Sequence, residues 1–112
     1  MNHRSKITAI GALFLLVAAI GFAAPASENW ENNCQKCHGA DGKGQTKTGK
    51  KLGIKDYTDA KVQAELKDAD MAKAISAGVK DEKTGKDKMK ASPDLTPAEV
   101  TDLVAYIRKF KS

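Results

Sequence analysis

The sequence predicts an all-α domain, and three observations carry that reading. First, Val100, Leu103, Val104, Ile107 and Phe110 recur at i, i+3, i+4, i+7 and i+10, the spacing of one apolar helix face. Second, that stripe follows Thr96-Pro97-Ala98-Glu99, a capping box with proline at the first helical position. Third, nowhere in the 112 residues do apolar and polar side chains alternate with the period of two that a half-buried strand requires. No internal repeat is present.

The elements follow in order. Arg4 and Lys6 lead into a run from Ile7 to Ala24 that is apolar apart from Thr8, and Ala24-Pro25-Ala26 closes it. A basic start, an apolar middle and a small-residue exit make a secretory leader, so residues 1–26 are read as a signal peptide and 27–112 as the working domain. The run is also near the lower limit for spanning a bilayer, so an uncleaved inner-membrane anchor is the competing reading. Ser27 to His38 reads as a short helix with Ser27 as its N-cap and Glu28 and Glu31 in the first turn, where the helix dipole favours them. The five glycines between Gly39 and Gly53, set among lysines, read as loop. Ala60 to Leu66 makes a turn or two of helix. Asp68 caps a clearer helix with Met71, Ala74 and Ile75 on one face and Gly78 as its stop. Lys80 to Ser92 has no apolar periodicity and reads as a lysine-rich loop with one apolar residue, Met89.

Once the leader is set aside, this domain is short of core. Leu, Ile, Val and Phe together number 12 of the 86 residues from Ser27 to Ser112, a proportion at which a charged chain struggles to fold unaided. Small domains also bury a lower fraction of their surface. A large enzyme, a multi-domain protein and a polytopic membrane protein are excluded. Either the segment is disordered, or something other than side chains fills its centre.

Both cysteines lie in Cys34-Gln35-Lys36-Cys37-His38. C-x-x-C-H is the attachment pattern for c-type haem: two thiols one helical turn apart can each form a thioether to a haem vinyl group, and the adjacent imidazole is placed to ligate the iron. Three plainer readings compete. A disulfide here would close too short a loop to stabilise much. A thioredoxin-like dithiol needs a βαβ setting that is missing. Zinc would find Cys34, Cys37 and His38 but no fourth ligand, since His3 leaves with the leader.

With these residues in hand, the chain resembles a class I monohaem c-type cytochrome of the small bacterial kind. The resemblance rests on Cys34-x-x-Cys37-His38-Gly39-x-Asp41-Gly42-x-Gly44, on the Asp68–Gly78 helix, on Met89 in a late loop, and on Leu103-Val104-Ala105-Tyr106-Ile107-Arg108. It implies about four short helices around one covalent haem c, with the terminal helices crossing at Trp30 and Tyr106. It also implies Cys34 and Cys37 as thioether residues, His38 as proximal ligand and a distal methionine. Met71 shares an apolar face with Ile75, which is a packing position. Met89 stands in a polar loop without a packing reason and lies shortly before the final helix, so the distal ligand is assigned to Met89. The alternative is an ordinary loop methionine with an open or lysine-ligated iron, Lys88 and Lys90 being adjacent. In the family a proline after the motif often supplies the carbonyl that orients the proximal histidine. Thr48 to Leu52 holds no proline, and a backbone carbonyl from this stretch is expected to serve instead. Leu52, Ile54, Tyr57, Leu66, Val79 and Leu95 are further candidates for the haem wall.

The whole chain carries a formal charge of +5, and Ser27–Ser112 carries +3; two ionised propionates would bring this near neutrality, so a nucleic-acid partner has little support. Local charge remains, in Lys43, Lys47, Lys50, Lys51 and Lys55 on one loop and Lys80, Lys83, Lys86, Lys88 and Lys90 on another. The resemblance puts these loops beside the exposed haem edge, where they could steer docking onto acidic patches of redox donors and acceptors, membrane respiratory complexes among them; a merely solvated surface is the plain reading. The function expected is a periplasmic, monomeric one-electron carrier and not an enzyme. The rivals are a haem-based ligand sensor or redox-enzyme subunit with an open distal site, and an interaction domain with a plain disulfide.

Overall fold

In the computed structural model, which describes residues 23–112, six helices and one small hairpin follow one another. The helices are α1 (Ala26–Asn33), α2 (Gln35–His38), α3 (Lys47–Leu52), α4 (Ala60–Glu65), α5 (Asp68–Ala77) and α6 (Pro97–Arg108). Between α5 and α6 lie β1 (Val79–Lys80) and β2 (Asp87–Met89). Most of the predicted leader lies outside the described residues. Among the described residues, no helix is long and apolar enough to cross a membrane.

Helix α6 is the support for the rest, and its local chemistry is as expected. The Thr96 hydroxyl accepts from the Glu99 amide at 3.1 Å and the Glu99 carboxylate accepts from the Thr96 amide at 3.1 Å. Its stripe buries Val100, Leu103, Val104 and Ile107, and both α1 and α5 pack on it. Trp30 and Leu103 are the largest fully buried side chains; Cys34, Met71, Ile75, Val100, Val104 and Ile107 complete the buried apolar core. The expected junction of the terminal helices is present, with the Trp30 and Tyr106 ring centroids 5.6 Å apart. Asn29 adds a polar tie there: its Nδ2 donates to Glu99 Oε2 at 2.7 Å, linking α1 to the capping box of α6.

Several local expectations need correction. The first helix starts one residue before Ser27: Pro25 is its N-cap, and the Pro25 carbonyl accepts from Glu28 and Asn29 at 3.0 and 3.1 Å. Proline biases the residue ahead of it away from helix, so it sets the boundary. The Ala24 carbonyl also accepts from Asn29 Nδ2 at 3.3 Å. The helix breaks at Cys34 into two pieces. The Gly39–Gly53 stretch is not all loop, because α3 forms inside it. Thr46 caps α3 by accepting from the Gly49 amide at 2.9 Å, and Gly53 ends it in the left-handed region at φ 66°. Asp68 is the first residue of α5 rather than its cap; Lys67 holds the cap position without a side-chain bond. The Asp68 carboxylate instead accepts from Arg108 Nε and Nη2 at 3.0 and 2.8 Å. The described residues therefore hold six short helices where about four were expected, within the same all-α class.

The lysine-rich loop also contains structure that periodicity could not reveal. Val79 pairs with Met89 and Lys80 with Asp87 in antiparallel register, with an irregularity between Val79 and Lys80. Strands of two and three residues are too short to display alternation. Asp81 organises the connection, its carboxylate accepting from the Lys83 and Thr84 amides at 2.8 and 3.0 Å, the local bonding by which aspartate favours turns.

Arg108 closes the far side. Its Nη1 donates to the Gln63 carbonyl at 2.6 Å and its Nη2 to the Leu66 carbonyl at 2.6 Å, so it joins the end of α4 to α6. The buried Gln63 amide in turn donates to the carbonyls of Tyr57 and Ile107 at 2.7 and 2.9 Å.

Candidate functional site

A partly open cleft of about 150 Å³ runs between α5, the Cys34–His38 segment and the hairpin. Trp30, Cys34, His38, Tyr57, Leu66 and Met71 line it, together with Asp70, Ala74, Ile75, Met89 and Ile107. Its surface is thus mostly apolar, with one thiol, one imidazole and two thioethers facing inward.

Local structure explains how the motif reaches this cleft. Cys34 continues from α1, its amide bonded to the Trp30 carbonyl at 2.9 Å, and its own carbonyl accepts from His38 at 3.0 Å. One turn therefore carries the chain from Cys34 to His38. Helix α3 braces that turn, because the Thr46 hydroxyl donates to the Cys37 carbonyl at 2.7 Å. Gly49 makes the close approach possible: a Cβ there would collide with the carbonyl oxygens of Cys37 and Gly44. Trp30 holds the other flank, its Nε1 donating to the Gly39 carbonyl at 2.9 Å. Gly39 and Gly78 both combine a positive φ with an extended ψ, a region essentially reserved for glycine.

His38 lies in an aromatic setting. Its ring stacks on Tyr57 with centroids 5.2 Å apart and planes 16° from parallel, and the Trp30 ring is 5.6 Å away. Burial holds its pKa below the usual imidazole range, so the ring is neutral at neutral pH and keeps a lone pair to offer. Its Nδ1 is buried without a hydrogen-bond partner. The carbonyl expected from Thr48–Leu52 does not reach it, and the formation of α3 supplies the reason. The Gly49 carbonyl is engaged by the Ile54 amide at 3.0 Å and the Lys50 carbonyl by the Gly53 amide at 3.3 Å.

Both cysteines are free, Cys34 buried and Cys37 half-buried. Burial, with the neighbouring Cys37 second, pushes the Cys34 thiol up to about 11, so it stays protonated at neutral pH. Among the described residues no three His, Cys, Asp or Glu side chains converge on a metal-ion position. Tyr57, its pKa raised by burial and then by Cys34, is a neutral phenol.

The structure gathers most of the residues singled out from the sequence. Cys34, His38 and Met89 share the cleft, and Tyr57, Leu66 and Met71 are in its wall. Cys37 is not on the lining. Leu52 and Val79 are each 39% exposed and form no part of the wall; Leu52 sits at the end of the helix that replaced the expected loop. Ile54 packs against Gly44, and Leu95 packs on the core without reaching the cleft. Asp70 is the lining residue that sequence reasoning missed. Its signal was the i, i+4 spacing to Ala74, which puts both on one face of α5.

The donor set fits a haem attached through thioethers: two free thiols one turn apart, a neutral histidine, and thioethers on the lining of the same apolar cleft. Nothing matches the chain among curated proteins. Among solved structures it is similar to the KustC0563 c-type cytochrome, with 31% identity and a TM-score of 0.67 over 80% of this chain and all of that one. It is also similar to a point mutant of that protein, at 31% identity and a TM-score of 0.64, covering 79% of this chain and all of the mutant. The cytochrome c profile matches residues 23–111. The chain therefore belongs to the cytochrome c family, whose covalently attached haem c serves electron transfer.

Proposed function

We propose that this chain is an exported, monomeric one-electron carrier. Cys34 and Cys37 attach its haem c, His38 is the proximal iron ligand and Met89 the distal one. The observation that carries the reading is that His38 and Met89, far apart in sequence, line one apolar cleft with Cys34. Met71 also reaches the cleft, but it is 6% exposed within the core, whereas Met89 is half-buried on the hairpin. Bound haem supplies the Fe(II)/Fe(III) couple, and a thioether ligand sets that couple higher than a second histidine would. The protein's share is to offer a neutral imidazole, to present a thioether from a braced backbone and to exclude water with Leu66, Ile75 and Ile107.

Visible spectra of the oxidised protein test this assignment. Met89→Ala should abolish the weak red-edge band of sulfur–iron ligation, and Met71→Ala should retain it. A band that survives in Met89→Ala sinks the ligand assignment. Ready CO binding by the unaltered reduced protein would transfer the case to an open-site sensor or enzyme subunit. Exported protein with no Soret absorption would leave only the disulfide-domain reading.

The exposed lysines of the Lys43–Lys55 and Lys80–Lys90 segments are proposed to steer docking onto acidic redox partners. Two of these lysines face acidic neighbours, Lys55 with Glu65 at 3.8 Å and Lys80 with Asp87 at 3.5 Å; such exposed pairs are weak and leave a basic surface overall. Partner-reduction rates should fall as ionic strength rises, and rates indifferent to salt would remove the steering. Residues 1–26, read as a signal peptide, support a periplasmic location; recovery of the holoprotein from the periplasmic fraction, with an intact mass lacking the leader, checks this against an anchored form.

A further inference from the structure

Met89 is carried by backbone that rests on the end of α5, and the residue at the contact has no side chain. Gly78 closes α5 with its amide on the Ala74 carbonyl at 2.8 Å and φ 75°. A Cβ built there would lie 2.6 Å from the Met89 carbonyl oxygen, 2.8 Å from the Ala91 nitrogen and 3.2 Å from the Lys90 carbonyl carbon. All three atoms are backbone, so they cannot rotate away as a flexible side chain would. On one side of this contact Val79 pairs with Met89; on the other, the Ser92 amide donates to the Ile75 carbonyl at 2.9 Å. The same helix that supplies Met71, Ala74 and Ile75 to the cleft wall therefore also fixes the height at which Met89 enters it.

We propose that Gly78 is a positioning residue for the distal ligand: its missing side chain lets the Met89–Ala91 backbone seat directly on the C-terminus of α5, which sets the reach of the Met89 thioether. The proposal rests on the Met89 ligand reading and adds the device that aims it. A turn requirement alone does not account for the geometry. Gly53 and Gly85 also have positive φ, at 66° and 70°, yet a Cβ at either meets nothing within 4 Å.

The test compares Gly78→Ala with Gly85→Ala in the holoprotein, Met89→Ala being the reference. Gly78→Ala should weaken the sulfur–iron band, lower the reduction potential and let added imidazole compete several-fold more effectively for the iron. Gly85→Ala, in the same hairpin with open space around it, should match the parent in all three. If Gly78→Ala gives the parent's band, potential and imidazole affinity, or only the changes that Gly85→Ala also shows, the positioning role is refuted. If Met89→Ala itself keeps the band, it is the ligand reading that has failed. Should Gly78→Ala not accumulate, hydrogen exchange on the unaltered holoprotein decides. The Ser92 amide should exchange as slowly as the amides within α5 while Lys83–Lys88 exchange quickly; a Ser92 amide as fast as the hairpin tip overturns the anchor.

Discussion

Two rings 5.6 Å apart divide this molecule. Trp30 is 2% exposed, its indole N–H bonded to the Gly39 carbonyl, with Phe110 and Tyr106 against its faces. Its one polar atom is bonded to the chain, and protein covers nearly all of its surface. His38 is wrapped by aromatic rings as well, yet its Nδ1 is buried without a partner. The junction of α1 and α6 is closed by protein side chains, whereas the apolar cleft that shares Trp30 and Ile107 with it is left open. A buried polar atom left unmatched is costly, so the His38 ring, unlike the Trp30 indole, is not fully satisfied by the carbonyls and side chains around it.

The strongest way to break the contrast is to withhold the haem. Changing both Cys34 and Cys37 to alanine, or producing the chain where haem attachment is absent, should leave a colourless product with no cooperative thermal transition. The eight buried apolar side chains among the described residues are a small core for such a domain. A colourless protein that melts cooperatively would show that the terminal-helix junction suffices to fold the chain, and the cleft would lose its meaning as missing interior.

On the complete side of the contrast, Trp30→Ala should destabilise the holoprotein by about 3–5 kcal/mol, as expected for a buried tryptophan, read from the denaturant midpoint. Loss of under about 1 kcal/mol would mean that haem contacts, rather than ring packing, hold α1 to α6.

How far each side was legible follows the same division. Helix α6 could be read residue by residue, because a capping box and an apolar stripe are local patterns, and C-x-x-C-H could be read because haem attachment demands adjacent residues. Helix α3 could not. Its two internal supports, the Thr46 hydroxyl on Cys37 and the packing of Gly49 beneath the motif, are tertiary, and glycine with lysine has no helical signature of its own. The hairpin was hidden by brevity. Leu52 and Val79 misled because large apolar residues in a chain short of core look like wall, whereas much of the wall was drawn from α5, whose Asp70 and Ala74 carry little hydrophobic signal. The backbone support of Met89 was the least legible feature, since it consists of an absent side chain.

Gly49 lets the tertiary origin of α3 be tested. Gly49→Ala improves intrinsic helix propensity, so a locally determined α3 would gain stability. The collision with the Cys37 and Gly44 carbonyls predicts the opposite, a loss of about 1–3 kcal/mol as in overpacked interiors, together with a shift in the Soret band as the Cys37–His38 turn moves. Stabilisation with an unchanged spectrum would return α3 to a surface element without influence on the site.

The smallest expected effect concerns the polar tie that completes the protein-only side. Glu99 is 8% exposed, and its carboxyl is held below the usual glutamate range. The Asn29 side-chain N–H is the main cause and the Thr96 amide the next. In the unfolded chain neither bond exists, so on acidification the unfolded form binds the proton first. The stability that this carboxylate contributes is therefore fully present above the ordinary glutamate pKa of about 4.3, and it is lost as pH falls through that value and on through the depressed native one. Holoprotein unfolding measured between about pH 5 and pH 3 should show a proton uptake that Glu99→Gln reduces by a fraction of one proton, with the two proteins converging in stability at the acid end. The haem propionates and the half-buried Asp56 and Asp81, whose pKa values are also lowered by hydrogen bonds, are common to both proteins and cancel in the difference. Equal uptake in the two would mean that the Asn29–Glu99 contact is geometrically close but carries no charge preference, and the junction of α1 and α6 would then rest on apolar packing alone.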